Sequence, residues 1–285
     1  MENTPASAPK FNPLSKFFRQ PSVYIKLPSN GRYWKEGALE LPATGEIPVY
    51  PMTARDEITL RTPDALMNGS GVVDVIESCC PNVRDCWNMP SIDVDTVLIA
   101  IRIASYGTEM DVDTTCPFCN AENKHGINLQ TSLASIVCPD YNKPVEVEDL
   151  KIKLMPQPYF SVNRRNTIQF EEQRMATALE KPDSEERSME IANSMSKLIQ
   201  IGIDTVTDST EYIETADGSR VAEKEFIKEF YENANGSIVK SIQERLGEIN
   251  TEGAVKPQTA ACAECHKDYQ IPLMFDYANF FGQGS

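Results

Sequence analysis

Cys116-Pro117-Phe118-Cys119 and Cys262-Ala263-Glu264-Cys265 are the two stretches that decide how this chain is organised. A two-residue spacer lets both sulfurs of a pair reach one ion at about 2.3 Å, so each pair supplies half of a tetrahedral tetrathiolate zinc site. Each pair is followed by a polar turn and then a strand-like run. Residues 120–125 lead into Gly126-Ile127-Asn128-Leu129, and His266-Lys267-Asp268 leads into Tyr269-Gln270-Ile271-Pro272-Leu273. Two such knuckles build a zinc ribbon. Cys119 and Cys262 lie 143 positions apart, far more than a compact ribbon needs, so a domain is expected between its halves.

Four thiolates around one Zn²⁺ leave no coordination position for water or substrate, which marks a structural staple rather than a catalytic metal. Disulfides are the bland alternative and a redox dithiol the sharper one. Cys116-Pro117-Phe118-Cys119 has the spacing of a glutaredoxin-type motif, but that chemistry calls for a hydrophobic strand before the pair and a helix starting at its first Cys. Here Glu109-Met110-Asp111-Val112-Asp113 precedes it and a polar turn follows. Cys79, Cys80, Cys86 and Cys138 have no ligand spacing and read as small core or half-buried residues.

The chain has 285 residues, enough for one large or two moderate domains with real cores. Its 42 acidic and 27 basic side chains give a net charge of −15, which opposes contact with a phosphate backbone. The opening residues 1–9 are polar and proline-bearing, unlike a signal peptide, and no apolar run approaches the ~20 residues that span a bilayer. Synthesis and folding in the cytoplasm are expected. Its reducing conditions suit metal-bound thiols better than disulfides.

Residues 1–50 read as an extended N-terminal arm with short strands, because Pro13, Pro21, Pro28, Pro42 and Pro48 interrupt any helix. Lys10, Lys16, Arg19 and Lys26 interleave with Phe11, Phe17 and Phe18, a pattern suited to docking on a neighbouring protein. Residues 51–107 form a helical block. Thr53 with Asp56 and Glu57 makes a capping arrangement, Asp93 is placed to cap a helix over 94–106, and Gly107 stops it. Arg102 in that helix is expected either to snorkel or to pair with Asp56 or Glu57. Residues 108–130 and 258–285 form the discontinuous zinc ribbon. Residues 131–257 form an inserted, mainly helical domain: a strand over 145–154, helices over 160–180 and 184–201, a turn at Asp217-Gly218, and two amphipathic helices separated at Asn235-Gly236. The stripe Ile191, Met195, Leu198 and Ile199, and Phe226 with Ile227, Phe230 and Tyr231, are expected in the core. Glu171-Glu172 and Glu185-Glu186 are expected on solvated faces. The fold class is α+β.

Catalytic constellations are scarce. His125 and His266 are the only histidines and both adjoin knuckles, so no Ser-His-Asp arrangement is convincing. Neither a phosphate-binding Gly-x-x-x-x-Gly-Lys loop nor a dinucleotide fingerprint is present. No catalytic or cofactor-binding residue is assigned, and an enzyme is not expected.

The order of short motifs resembles one family. Asn12-Pro13-Leu14-Ser15-Lys16-Phe17-Phe18-Arg19-Gln20-Pro21 leads to Leu27-Pro28-Ser29-Asn30-Gly31-Arg32-Tyr33-Trp34 and Met52-Thr53-Ala54-Arg55-Asp56-Glu57. Then come Ala100-Ile101-Arg102-Ile103-Ala104-Ser105-Tyr106-Gly107, the two knuckles, and Phe275-Asp276-Tyr277-Ala278-Asn279-Phe280-Phe281. The series resembles the baseplate hub and assembly proteins of T-even-type contractile-tailed bacteriophages across nearly the whole chain. That resemblance implies a place at the virion tail baseplate, as component or assembly factor, with hub, wedge or tape-measure proteins as partners and neither nucleic acid nor membrane. A zinc-ribbon protein binding nucleic acid or a host transcription component is the alternative. A basic stripe on the folded ribbon would favour it.

Overall fold

The structure, a computed structural model, describes residues 12–62, 68–178, 185–271 and 280–281. The expected anchors Lys10 and Phe11 and the closing segment 275–279 lie outside the described residues. The chain is α+β, with two buried clusters that meet along one seam.

The first cluster is organised by one helix. β1 (Val23–Ile25) pairs antiparallel with β2 (Ile47–Val49), and both pack on α3 (Ser91–Tyr106), with α1 (Ala54–Leu60) and α2 (Ser70–Cys79) alongside. Ile25, Leu27, Ile47, Val49, Val75, Ile76, Val97, Leu98 and Ile101 are all buried together. Cys79, Cys80 and Cys86 are buried here as expected, and burial drives the Cys79 thiol up to about 12. α3 is apolar nearly all round, which a helix tolerates only at the centre of a core. It ends at Gly107, whose φ of 92° a side chain would strain.

Its start corrects the expected cap. α3 begins at Ser91 after Pro90, and Asp93 lies inside the first turn rather than before it. The Asp93 carboxylate instead accepts from the Ser29 N–H at 2.9 Å, the Ser29 Oγ–H at 2.6 Å and the Trp34 Nε1–H at 2.8 Å. Ser29 and Trp34 belong to the segment read as an arm, and Asp93 is fully buried. Burial pushes this carboxyl up to about 6 in spite of its three donors.

The arm is thereby fastened to the chain's own core. Arg19 donates from Nη1 to the Pro51 carbonyl at 2.7 Å and to Asp56 Oδ2 at 3.2 Å, and from Nη2 to the Ser78 carbonyl at 2.7 Å. Asp56 is also the reciprocal member of the capping box, accepting from the Thr53 N–H at 2.7 Å. The expectation that the arm docks on a neighbouring protein therefore does not extend to residues 19–35, which Arg19, Ile25, Leu27 and Ser29 bind internally. Before Arg19, the 3₁₀ turn Pro13–Phe17 buries nothing, and Phe17 is 73% exposed. Arg102 pairs with neither acid proposed for it: its guanidinium lies over the rings of Tyr106 and Phe280, while Glu57 accepts from the Tyr106 hydroxyl.

The second cluster forms around a four-stranded antiparallel sheet in the order β5 (Val145–Val147), β6 (Leu150–Leu154), β7 (Thr210–Glu214) and β8 (Arg220–Val221). The strand expected over 145–154 is thus a hairpin, turned at Glu148, whose φ is +52°. Helices α5 (Tyr159–Ala178), α6 (Glu185–Asp208), α7 (Lys224–Asn233) and α8 (Gly236–Gly253) accompany it. Ile152, Leu154, Val206, Ile213, Ile227, Tyr231, Ile238, Ile242 and Ile249 form its interior. The α6 stripe assigned to the core is not there, since Met195, Leu198 and Ile199 are exposed; on α7 Phe226 is exposed while Ile227 and Tyr231 are buried. Ile191 has no described side chain. Conversely Glu172, expected in solvent, is buried, with Ser194 and Lys197 donating to it. The clusters join where Ser91 N–H donates to the Gln157 carbonyl at 2.8 Å and Tyr159 N–H to the Met89 carbonyl at 2.8 Å.

Two measurements check this fastening. Asp93→Ala strands three donors in a dry site and should cost about 3 kcal/mol or more in urea unfolding. Loss of less than about 0.5 kcal/mol would show that the acceptor is dispensable. Deleting residues 1–18 should leave thermal unfolding within a degree or two, whereas Arg19→Ala should lower stability by about 2 kcal/mol because it orphans the buried side of Asp56.

Candidate metal centre

β3 (Glu109–Thr115) and β4 (Glu122–Asn128) form one antiparallel hairpin in register from Glu109 opposite Asn128 to Thr115 opposite Glu122. β9 (Gln258–Ala261) and β10 (Asp268–Ile271) form a second, from Gln258 opposite Ile271 to Ala261 opposite Asp268. Each Cys-x-x-Cys pair sits in the loop at the tip of one hairpin, and the two loops have the same backbone. Cys116 N–H donates to the Ala121 carbonyl and Asn120 N–H to the Cys116 carbonyl; Cys262 N–H donates to Lys267 and His266 N–H to Cys262 in the same way. Asn120 and His266 take the left-handed conformation at matching positions, with φ of 58° and 55°. An αL residue after the second Cys turns the chain back into the strand and leaves both sulfurs on one side. Asn is among the residues that adopt αL with least strain.

The two tips face each other. Cys116 Sγ lies 3.7 Å from Cys265 Sγ, Cys119 Sγ lies 3.6 Å from Cys262 Sγ, and all four ligand atoms fall within 4.8 Å of one another. A disulfide would hold its sulfurs at about 2.05 Å, so none of these contacts is one. A tetrahedron with metal–sulfur bonds of about 2.3 Å has sulfur–sulfur edges of about 3.8 Å. The observed spacings fit that edge, and the donor set is four soft sulfurs. All four sequence-assigned residues are therefore brought together.

The electrostatics point the same way. Backbone N–H donation, first from Cys265, holds the Cys262 thiol down to about 6. Cys119 also receives an N–H, from Ala121, yet desolvation, followed by the other three sulfurs, pushes its thiol up to about 12. Four sulfurs this close cannot all carry charge unaided; a dication removes the conflict. Phe118 N–H approaches Cys116 Sγ at 3.4 Å, a further donor to sulfur.

The residues that hold the hairpins together were not identified from the sequence. Asn123 accepts from the Ala263 N–H at 2.9 Å and points its amide at Cys262 Sγ, so it braces one knuckle against the other. The Tyr269 hydroxyl meets Thr114 Oγ1 at 2.7 Å and His125 Nε2 at 2.8 Å. That contact occupies His125 Nε2. Gln258 Nε2 donates to the Asn128 carbonyl at 2.9 Å and to Ser132 Oγ at 2.8 Å, fixing the second hairpin to α4 (Leu129–Ser135). The only available signal for these struts was their alternation with strand residues, which does not say what they face. Lys124 is paired with Asp111 at 3.0 Å and Lys267 lies over the Phe118 ring, so the hairpins' cations form no basic stripe.

Among the described residues, no helix is long and apolar enough to cross a membrane. No curated protein and no solved structure gives a significant match. A family model described as "T4 bacteriophage base plate protein" matches residues 20–282, a span that begins at the anchored part of the arm and takes in both clusters and both cysteine pairs. The chain belongs to this family of phage base plate proteins.

Proposed function

We propose that this protein is a non-catalytic component or assembly factor of a contractile-tail baseplate, stapled by one structural Zn²⁺ on Cys116, Cys119, Cys262 and Cys265. Membership of the base plate family supports a place in the virion tail beside other tail proteins; on this reading those neighbours are hub, wedge or tape-measure proteins, met after synthesis in the host cytoplasm. The sulfur geometry carries the staple. Zinc suits it because four thiolates satisfy the preference of a d¹⁰ ion for tetrahedral sulfur and leave nothing for substrate to displace. Hairpins remote in sequence then act as one ribbon. The segment 131–257 is the insertion that this ribbon closes.

The docking surfaces follow from what is left uncovered. Leu14, Phe17 and Phe18 stand in water on a turn whose next residue, Arg19, is firmly held, so they are presented at a fixed place on the molecule. Aromatic anchors of this kind dominate protein interfaces. An assembly role asks for such anchors and a stable scaffold. It does not ask for turnover.

Elemental analysis of purified protein should give about one zinc per chain, and Cys262→Ser with Cys265→Ser should abolish it and lower the unfolding temperature by ten degrees or more. Metal-free protein that melts as the wild type does would defeat the staple. A phage lacking the gene should fill heads but build no functional tails, and mass spectrometry of purified tails separates a retained component from a transient factor. Infectious tails without the gene product would overturn the assembly role.

A further inference from the structure

A cleft of about 340 Å³ is lined by the run from Tyr24 to Pro28, by Leu133 of α4 and Ile136 just after it, and by Thr96 of α3. The run belongs to β1 and the residues that follow it. β1 has one neighbour in its sheet, β2. Tyr24 stands opposite Pro48, and proline has no N–H to give, so the bonds of this ladder run between Val23 and Val49 and between Ile25 and Ile47. In an antiparallel pair, the residue between two bonded pairs turns its own N–H and carbonyl away from the partner strand. The Tyr24 N–H and carbonyl therefore point out of the other edge of β1, where no group among the described residues meets them. An unpaired edge is a template for another strand.

The rest of the cleft suits an extended backbone. Tyr24 is 61% exposed and Lys26 is exposed, whereas Ile25 and Leu27 are buried, the alternation of a strand with one face on a core. A strand added beside β1 repeats that alternation and turns every second side chain toward the half-buried Leu133 and Ile136. Thr96 is buried and its hydroxyl has no hydrogen-bond partner, so it offers a donor that a peptide carbonyl can use.

Lys26 narrows the choice of strand. A lysine on a sheet edge discourages indiscriminate pairing, and this one has no ion-pair partner among the described residues. It favours a strand with a carboxylate at the facing position. The β1 of a second copy does not meet that requirement, because residues 21–30 contain neither Asp nor Glu.

We propose that this cleft receives an extended segment of a neighbouring tail protein as a third strand on β1, with a carboxylate facing Lys26 and apolar side chains on either side of it turned toward Leu133 and Ile136. That the partner is a tail protein rests on the base plate reading; the strand pairing rests on β1 itself.

The test uses the full-length wild-type chain and Lys26→Glu, titrated with the peptide acetyl-Ser-Val-Glu-Val-Thr-Val-Ser-amide and followed by amide chemical shifts. Saturable shifts at Tyr24, Lys26 and Thr96 are expected, with slower hydrogen exchange at the Tyr24 amide. The same peptide N-methylated at its glutamate and threonine cannot donate to the strand edge and should bind at least about tenfold more weakly. A peptide with lysine in place of the glutamate should bind the wild type about fivefold more weakly, and Lys26→Glu should reverse that preference. No saturation, equal binding of the N-methylated peptide, or an unchanged preference in Lys26→Glu would each overturn the proposal. So would a peptide-free wild type that sediments as a dimer with shifts at Tyr24, since a second copy would then hold the edge. Detection of the wild-type chain in purified tails is scored separately, so a silent edge in a genuine tail protein sinks this inference and leaves the baseplate role standing.

Discussion

The two cysteine hairpins depend on four sulfur atoms that converge across the 143 positions between Cys119 and Cys262. In chain-entropy terms a crosslink closing a loop of that length stabilises by about 5 kcal/mol, comparable to the whole stability of many domains. The hairpins themselves contribute little burial. Among β9 and β10, only Tyr269 and Ile271 are buried, and a two-stranded hairpin alone is marginal in water. Short polar hairpins of this kind need a centre that is stronger than their own packing, and the metal proposed for the four thiolates would provide one.

The same constraint explains why the region between the hairpins can be a separate cluster with its own sheet. Its ends are held together at Asn128, Ser132 and Gln258, so it needs no further connection to the ribbon. It leans on the first cluster through the Met89–Tyr159 and Ser91–Gln157 backbone bonds. Two anchor lines, one at the sulfurs and one at this seam, fix its position. A single line would leave a hinge.

The convergence of the four cysteines was legible in the sequence because most of its information is local. A Cys-x-x-Cys spacing and a following turn fix both sulfurs within one knuckle, and only the pairing of knuckles is non-local. Helix ends marked by a positive-φ glycine or a capping box, at Gly107 and Thr53, were legible for the same reason. Asp93 was misread because an acid before an apolar run has the pattern of a cap, and nothing in the spacing reveals that Ser29 and Trp34, far away in sequence, are its donors. The apolar stripe of α6 was misread because periodicity reports that a face is apolar, without saying that anything covers it. Met195, Leu198 and Ile199 form such a face and stand in water.

That uncovered stripe, with the exposed Leu14, Phe17 and Phe18, also sets what kind of protein this is. Soluble monomers rarely keep apolar patches without a use for them, and here exposed apolar side chains stand on α6 and on the turn before Arg19. In each case the supporting element is firmly held while the apolar part projects. Arg19 holds the turn, and Glu172 with Ser194 and Lys197 holds α6 to α5. A chain that invests its polar contacts in rigid brackets and leaves the apolar tips bare is built to be completed by neighbours. That arrangement is consistent with the proposed role in a base plate: a scaffold with its own cores, whose bare apolar side chains would be covered by neighbours in the assembled tail.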